Sequence, residues 1–249
     1  MSSHSRVVGI MTLMATILTA LCLSPARAMP PSRLRLRSPQ VTVNSTNLQL
    51  LLLSRNEGLT VSRDQVDAEL LRGDSLQNSL GLVLQVQLFR TDGASSGIYD
   101  GHAAIPTLMQ VFPDSAKVGW FAILVFRMNP TRVTVSLYDE SSTPLNTTTY
   151  PGGDRDGIGL YLSGPGGTFY SQDSRNPGTS PQVLCFLGTG GYGSGWWVAA
   201  EGQSLDGGSD ADYDDVVWFL WGGFHEDVEG YGITPVHRTS WGQVKARFR

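Results

Sequence analysis

The sequence predicts an all-β protein, a β-sandwich or jelly-roll-like fold, and three features predict it. From residue 82 onwards, short runs alternate apolar and polar residues with the period of two that is typical of strands. Turns rich in glycine and proline separate these runs. The chain has 249 residues, which is enough for one large β domain. Seven or more short strands at this spacing favour two packed sheets.

The individual strands are predicted from their side-chain patterns. They are expected over Leu82–Phe89, Gly119–Met128, Arg132–Tyr138, Gly157–Ser163 and Gln182–Leu187. Gly119–Met128 is almost wholly apolar, which favours the centre of a sheet. The aromatic and valine-rich runs Trp196–Ala200 and Val216–Trp221 predict a long hairpin. The tail, Trp241–Phe248, is expected to add a closing strand.

The first 28 residues predict export. Arg6 provides a positive start, Val7–Leu23 is an apolar run, and Ala26–Ala28 fits the small-x-small rule for signal-peptide cleavage. The apolar run is short for a membrane span, which needs about 20 residues. We therefore expect a secreted or cell-surface protein with no membrane span after cleavage, and a retained anchor is the alternative.

The next segments lead into the β domain. Residues 29–40 hold three prolines and three arginines without periodicity, which predicts a flexible leader. Residues 41–80 are expected to form a helical and extended segment packed on a β-sandwich of residues 81–249. Within that segment, Val61–Leu71 has apolar residues at helical spacing and predicts a short helix. Val41–Leu53 fits a strand or the start of a helix.

The net charge and the cysteine content limit which classes of function are possible. Removing residues 1–28 takes away two of the 18 basic residues and no acidic ones, so 16 basic face 22 acidic residues and the net charge becomes −6. This balance excludes nucleic-acid binding by charge. Cys185 is then the one remaining cysteine, and its apolar surroundings predict a buried thiol. With no internal disulfide to form, the exported chain must be held by its core or by metal.

The loop of the predicted hairpin concentrates negative charge. Six carboxylates fall within fifteen residues: Glu201, Asp206, Asp210, Asp212, Asp214 and Asp215. Two unit charges about 4 Å apart repel by about 1 kcal/mol in water and by about 4 kcal/mol at an effective dielectric of about 20. Full solvation, raised pKa values or a bound cation would relieve this repulsion. Calcium takes about six to eight hard oxygen ligands and tolerates irregular geometry.

These six residues are therefore predicted to bind Ca²⁺. The Asp210-x-Asp212-x-Asp214 spacing is similar to the first half of a calcium loop, but it is not an EF-hand. The required glycine at loop position six is Asp215, and the acid at position twelve would be Trp221. The alternative is a solvated acidic turn whose aspartates cap their own backbone.

The C-terminal half of the chain resembles the bacterial domain of unknown function 4114. The likeness covers roughly residues 110–222 and rests on the following matches: Phe169–Ser171, Asn176–Pro177, Glu201, and the final motif of Asp210, Asp212, Tyr213 and Asp215. Gly202 stands where that family usually has Asp, and Asp214 replaces its usual Asn. The resemblance implies an exported or surface-attached β-sandwich with acidic residues suited to calcium and with no known catalysis.

We expect a noncatalytic protein that acts in surface attachment or matrix contact, with a glycan or a surface protein as its partner. The sequence does not predict its oligomeric state. One alternative is a calcium-dependent carbohydrate-binding module that exposes tryptophans beside the loop. Trp196 and Trp197 point to opposite faces of a strand, so burial of the sheet on both faces is the competing interpretation. A further alternative is a glycoside hydrolase with Glu201 as acid and Asp214 or Asp215 as its partner. It is disfavoured because a glycine-rich tip offers no pocket to raise a carboxyl pKa.

Two smaller features are interpreted as structural. The histidines lack the spacing of a zinc site and are expected at the surface. Residues 154–157, Asp-Arg-Asp-Gly, fit either a second small cation loop or an ordinary turn.

Overall fold

The structure of the chain is a computed structural model, and it describes residues 36–44, 46–73, 82–128, 130–154, 157–188, 195–222 and 224–226. The statements below concern these residues. The predicted signal peptide, most of the predicted leader and the predicted closing strand Trp241–Phe248 lie outside them. No helix among them is long and apolar enough to cross a membrane.

The described residues form one helix, thirteen strands and two short 3₁₀ turns, Asp173–Arg175 and Pro177–Thr179. In chain order the helix and strands are α1 (Asn47–Ser54), β1 (Leu71–Gly73), β2 (Leu82–Thr91), β3 (Ser95–Asp100), β4 (Leu108–Phe112), β5 (Phe121–Met128), β6 (Thr131–Tyr138), β7 (Pro144–Pro151), β8 (Ile158–Gly164), β9 (Gly167–Tyr170), β10 (Val183–Gly188), β11 (Gly195–Ala200), β12 (Val216–Gly222) and β13 (Phe224–Glu226).

Two antiparallel sheets form a sandwich, as the sequence predicts. The larger sheet has the order β10-β11-β12-β2-β5-β6-β7. The smaller sheet has the order β13-β1-β8-β3-β4, and β9 pairs with β8 beside this path. All the pairings among the described strands are antiparallel.

The main core lies between the two sheets. Leu84, Leu124 and Val135 occupy matching register positions on β2, β5 and β6, and all three are buried. Ile98 and Leu160 pair across β3 and β8 in the opposite sheet and are buried in the same cluster. The alternation of apolar residues along these strands therefore places one face of each sheet in the core.

A second layer covers the outer face of the larger sheet at β10, β11 and β12. Leu48 and Leu52 of α1 are buried in a cluster with Trp197 and Phe219. Trp196, next to Trp197 in the chain, lies in the core between the sheets. The interpretation that this part of the sheet is buried on both faces is confirmed. Nearly continuous apolar runs in β11 and β12 are what two buried faces require.

The predicted helix over Val61–Leu71 is wrong. Residues 61–63 form a turn, Val66 makes isolated bridges to Leu36 and Cys185, and Leu71 begins β1. The Val66 backbone N–H donates to the Cys185 carbonyl at 2.8 Å, so a long-range backbone bond replaces a helical one. The helix forms over Asn47–Ser54, and it begins within Val41–Leu53, the run that fits either structure.

The predicted strands that lie within the described residues are confirmed, but several strands lack a sequence signal. The hairpin of β11 and β12 is antiparallel, and all five other predicted runs coincide with strands. The sequence analysis missed β1, β3, β4, β7, β9 and β13. In β7 every residue is exposed or half-buried, so it lacks the alternation of apolar and polar residues that predicts a half-buried strand.

Candidate functional site

The acidic loop joins β11 to β12 and is closed at its base. Ala200 pairs with Val216, so Glu201 and Asp215 enter and leave the loop side by side. The Glu201 backbone N–H donates to the carbonyl of Gln182 at 2.9 Å. The Gln182 side chain also spans the start of the loop, donating to the Gln203 carbonyl at 2.7 Å and accepting from the Leu205 N–H at 3.1 Å.

Glu201 is completely buried, with 0% of its surface exposed. Its carboxylate accepts backbone hydrogen bonds from Gln203 at 3.2 Å and Tyr213 at 3.4 Å. Its pKa is raised to about 7, first by burial and then by the negative charge of Asp215, whose carboxyl is within hydrogen-bonding reach. The carboxyl group is therefore poised between its protonated and charged forms near neutral pH.

Three carboxylates of the loop converge. One ligand oxygen from each of Glu201, Asp210 and Asp212 lies within 4.8 Å of the other two. Ala211 lies between the two aspartates and Tyr213 follows Asp212. Their φ values of 55° and 56° lie in the left-handed region, which residues other than glycine seldom adopt. Such backbone strain is found where a fold holds ligand-binding groups in place.

Asp214 is also buried, with 1% of its surface exposed. One carboxylate oxygen pairs with the Arg90 guanidinium at 2.7 Å. The other, Oδ2, has no hydrogen-bond partner among the described residues. The pKa of Asp214 is raised, first by burial and then by the charge of Asp212, while Arg90 and a hydrogen bond from Asn47 oppose the shift.

The two remaining predicted ligands lie in different places. Asp215 contacts Glu201 and accepts the Gly202 backbone N–H at 2.6 Å. A Cβ at Gly202 would lie 2.9 Å from the Asp215 carboxylate, so the close approach favours glycine there. The Asp206 carboxylate instead lies against Gly178, and it is not among the three converging groups. The structure thus groups five of the six predicted ligands and leaves Asp206 apart. Asp215 adjoins the three converging carboxylates at Glu201, and Asp214 adjoins them at Asp212.

Groups distant in sequence hold the loop, and the sequence analysis missed them. The Asn44 backbone N–H donates to the Ala211 carbonyl, and its side-chain amide donates to the Asp210 carbonyl, both at 3.0 Å. The Tyr213 hydroxyl donates to the Pro181 carbonyl at 2.6 Å. Arg90 follows a predicted strand directly, which is the one local signal that it could reach this end of the sheet.

A second group of ligand atoms lies on the smaller sheet. Asp100, His102 and Asp154 have ligand atoms within 4.8 Å of one another. The His102 Nδ1 lies 3.2 Å from the Asp154 carboxylate, and Asp100 accepts the His102 backbone N–H at 3.0 Å. Residues 155 and 156 lie outside the described residues. An exposed aspartate–histidine pair explains these contacts without a metal.

The structure contradicts two arguments made from the sequence. Trp196, Trp197 and Trp218 are buried, and the half-buried Trp221 lies at the end of β12 remote from the acidic loop. The described tryptophans therefore offer no sugar-stacking face beside the loop. The argument that the loop cannot raise a carboxyl pKa is also wrong, because Glu201 is held inside the fold rather than at the tip.

No family model, no curated protein and no solved structure matches the chain. The chemistry of the loop is therefore inferred from its own residues.

Proposed function

We propose that this chain is an exported, noncatalytic β-sandwich module whose acidic loop binds calcium and which works in surface attachment or extracellular matrix contact. The proposal rests on the convergence of Glu201, Asp210 and Asp212, whose ligand oxygens lie within 4.8 Å of one another. Asp214 is buried nearby, and its Oδ2 has no hydrogen-bond partner among the described residues. Every candidate ligand is a hard carboxylate oxygen, which suits calcium better than a softer transition metal.

Electrostatics supports the same proposal. Glu201 and Asp215 are in contact, as are Asp212 and Asp214, and each contact raises the pKa of the buried member. A divalent cation among these oxygens would stabilise the charged forms and release bound protons. The signal sequence at residues 1–28 supports export, and the resemblance to surface-attached β-sandwiches supports the attachment role.

One observation supports the hydrolase alternative, and two others count against it. A pKa of about 7 would suit Glu201 as a general acid. However, Glu201 has no exposed surface through which a polymer could reach it. Asp214, one of the two partners considered for it, is also buried, with 1% of its surface exposed. Both observations favour a structural cation site.

Thermal melting with and without calcium tests the cation site. Calcium at 100 times its dissociation constant should add about 2.7 kcal/mol to the free energy of unfolding. For a domain of this size, that raises the melting temperature by about 5–11 °C. Asp212→Asn should reduce the calcium-induced increase, whereas Asp206→Asn should leave it unchanged because Asp206 lies against Gly178. An unchanged melting temperature at millimolar calcium, together with a silent calorimetric titration, would reject calcium binding.

Cell fractionation tests the attachment role separately. The protein should be recovered in the secreted or surface fraction and should be accessible to added protease on intact cells. Recovery in the cytoplasm alone would contradict export while leaving the calcium measurement interpretable.

A further inference from the structure

The larger sheet extends one strand beyond the smaller sheet at β7. The smaller sheet ends at β4, which contacts β6 across the sandwich, while the larger sheet continues from β6 to β7. The core-facing side of β7 therefore forms the wall of an opening between the two sheet edges.

The residues on this side of β7 are polar. Asn146, Thr148 and Tyr150 pair with Leu137, Val135 and Val133 of β6, which are buried in the core. Directly paired residues of antiparallel strands point to the same face of a sheet, so these three side chains lie on the core face. A core face normally carries apolar residues, and three polar residues at alternate positions on it indicate a surface in contact with water.

These side chains line a cleft of about 240 Å³. Pro113, Ser115 and Trp120, from the connection between β4 and β5, line it from the opposite side. The Tyr150 hydroxyl donates to the Gln110 carbonyl at 3.3 Å, so one hydrogen bond joins the two sheets across the cleft. No charged side chain is among its lining residues.

The composition of the cleft limits the chemical class of ligand that would fit it. Trp120 and Tyr150 are half-buried and offer aromatic surface. Ser115, Asn146 and Thr148 offer hydroxyl and amide groups. A sugar ring presents an apolar C–H face and several hydroxyl groups, which match an aromatic surface flanked by neutral polar groups.

We propose that this cleft binds a neutral carbohydrate. The absence of charge among its lining residues disfavours acidic sugars and phosphorylated ligands, because either would lack an ionic partner there. The site does not depend on the proposed calcium loop. From β12, which borders that loop, to β7 there are four strand spacings, or about 19 Å at about 4.8 Å each.

An array of immobilised neutral glycans tests the proposal, with glucans, mannans, galactans and xylans beside charged glycans. Isothermal titration with the strongest neutral oligosaccharide then provides a dissociation constant, measured with calcium and with chelator. We expect binding to a neutral glycan that the chelator does not change.

Matched variants on the two faces of β7 locate the binding site. Asn146→Ala and Thr148→Ala remove polar groups from the cleft, whereas Thr147→Ala and Thr149→Ala remove hydroxyls from the opposite face of the same strand. Loss of one hydrogen bond should weaken binding about five-fold for each cleft variant. The variants of the opposite face should bind as the wild type does. All four positions are exposed or half-buried, so folding should be retained, which circular dichroism checks.

Three results would overturn the proposal. The first is no binding of any neutral glycan at millimolar concentration. The second is equal binding by the cleft variants and the opposite-face variants. The third is binding that the chelator abolishes and the cleft variants retain, which would place the sugar at the acidic loop instead. A failure of the calcium measurement alone would leave the cleft unaffected.

Discussion

Replacing Glu201 by glutamine should make the stability of the metal-free protein less dependent on pH. Glu201 is completely buried, and its pKa is raised from 4.5 to about 7 by burial and by the neighbouring Asp215. Glutamine has nearly the same shape and carries no charge at any pH. The Glu201→Gln variant therefore isolates the effect of this one ionisation on folding.

The direction of the pH dependence follows from the direction of the pKa shift. Below about pH 4.5 the folded and unfolded states both hold the proton, and the group has no net effect on stability. Between pH 4.5 and pH 7 the folded state keeps a proton that the unfolded state releases, so stability falls as pH rises. Above pH 7 the loss is complete. A shift of this size corresponds to about 3 kcal/mol.

Urea unfolding at pH 5 and pH 8 in chelator-treated buffer measures the effect. From pH 5 to pH 8 the wild type should lose about 2–3 kcal/mol more than Glu201→Gln, because most of the shift falls in that interval. Glu140→Gln, at an exposed glutamate, is the matched control and should behave as the wild type does. Added calcium should stabilise Glu201→Gln less than the wild type. Equal pH dependence in all three proteins would refute the inference that burial raises the pKa of Glu201.

Two further changes test the groups that support the loop. Arg90→Met should lower the free energy of unfolding at neutral pH by about 1–3 kcal/mol, because Asp214 would remain buried without the guanidinium that pairs with it. Adding Asp214→Asn to this variant should restore part of the lost stability. Urea unfolding measures both effects. Leu52→Ala should cost about 2–5 kcal/mol by leaving a cavity under α1, whereas Leu53→Ala, at an exposed position of the same helix, should cost far less. Equal thermal shifts for the two leucine variants would contradict the second buried layer.

Local sequence patterns were sufficient for several features of the fold. The alternation in β2 and β6 predicts one buried face for each strand, and the apolar runs of β11 and β12 predict burial on both faces. The helical spacing of Val61–Leu71 was misleading, because three apolar residues can satisfy a helical period while the backbone bonds elsewhere. A local pattern predicts which side chains are buried better than it predicts which backbone groups pair.

The candidate site shows the same division. The density of carboxylates between β11 and β12 is a property of the sequence, and it identified Glu201, Asp210 and Asp212. The sequence could not show that Asp206 lies apart, against Gly178. It also could not show that Asp214 pairs with Arg90, which is 124 positions earlier in the chain.

The amino-acid sequence by itself determined the all-β class, the hairpin and the concentration of negative charge, since each depends on neighbours in the chain. Only the tertiary structure decided which carboxylates are buried, which of them converge, and that β7 extends beyond the opposite sheet edge to form a cleft. Burial and convergence depend on distances between segments far apart in sequence. The packing of the sheets determines those distances, and no local pattern records them.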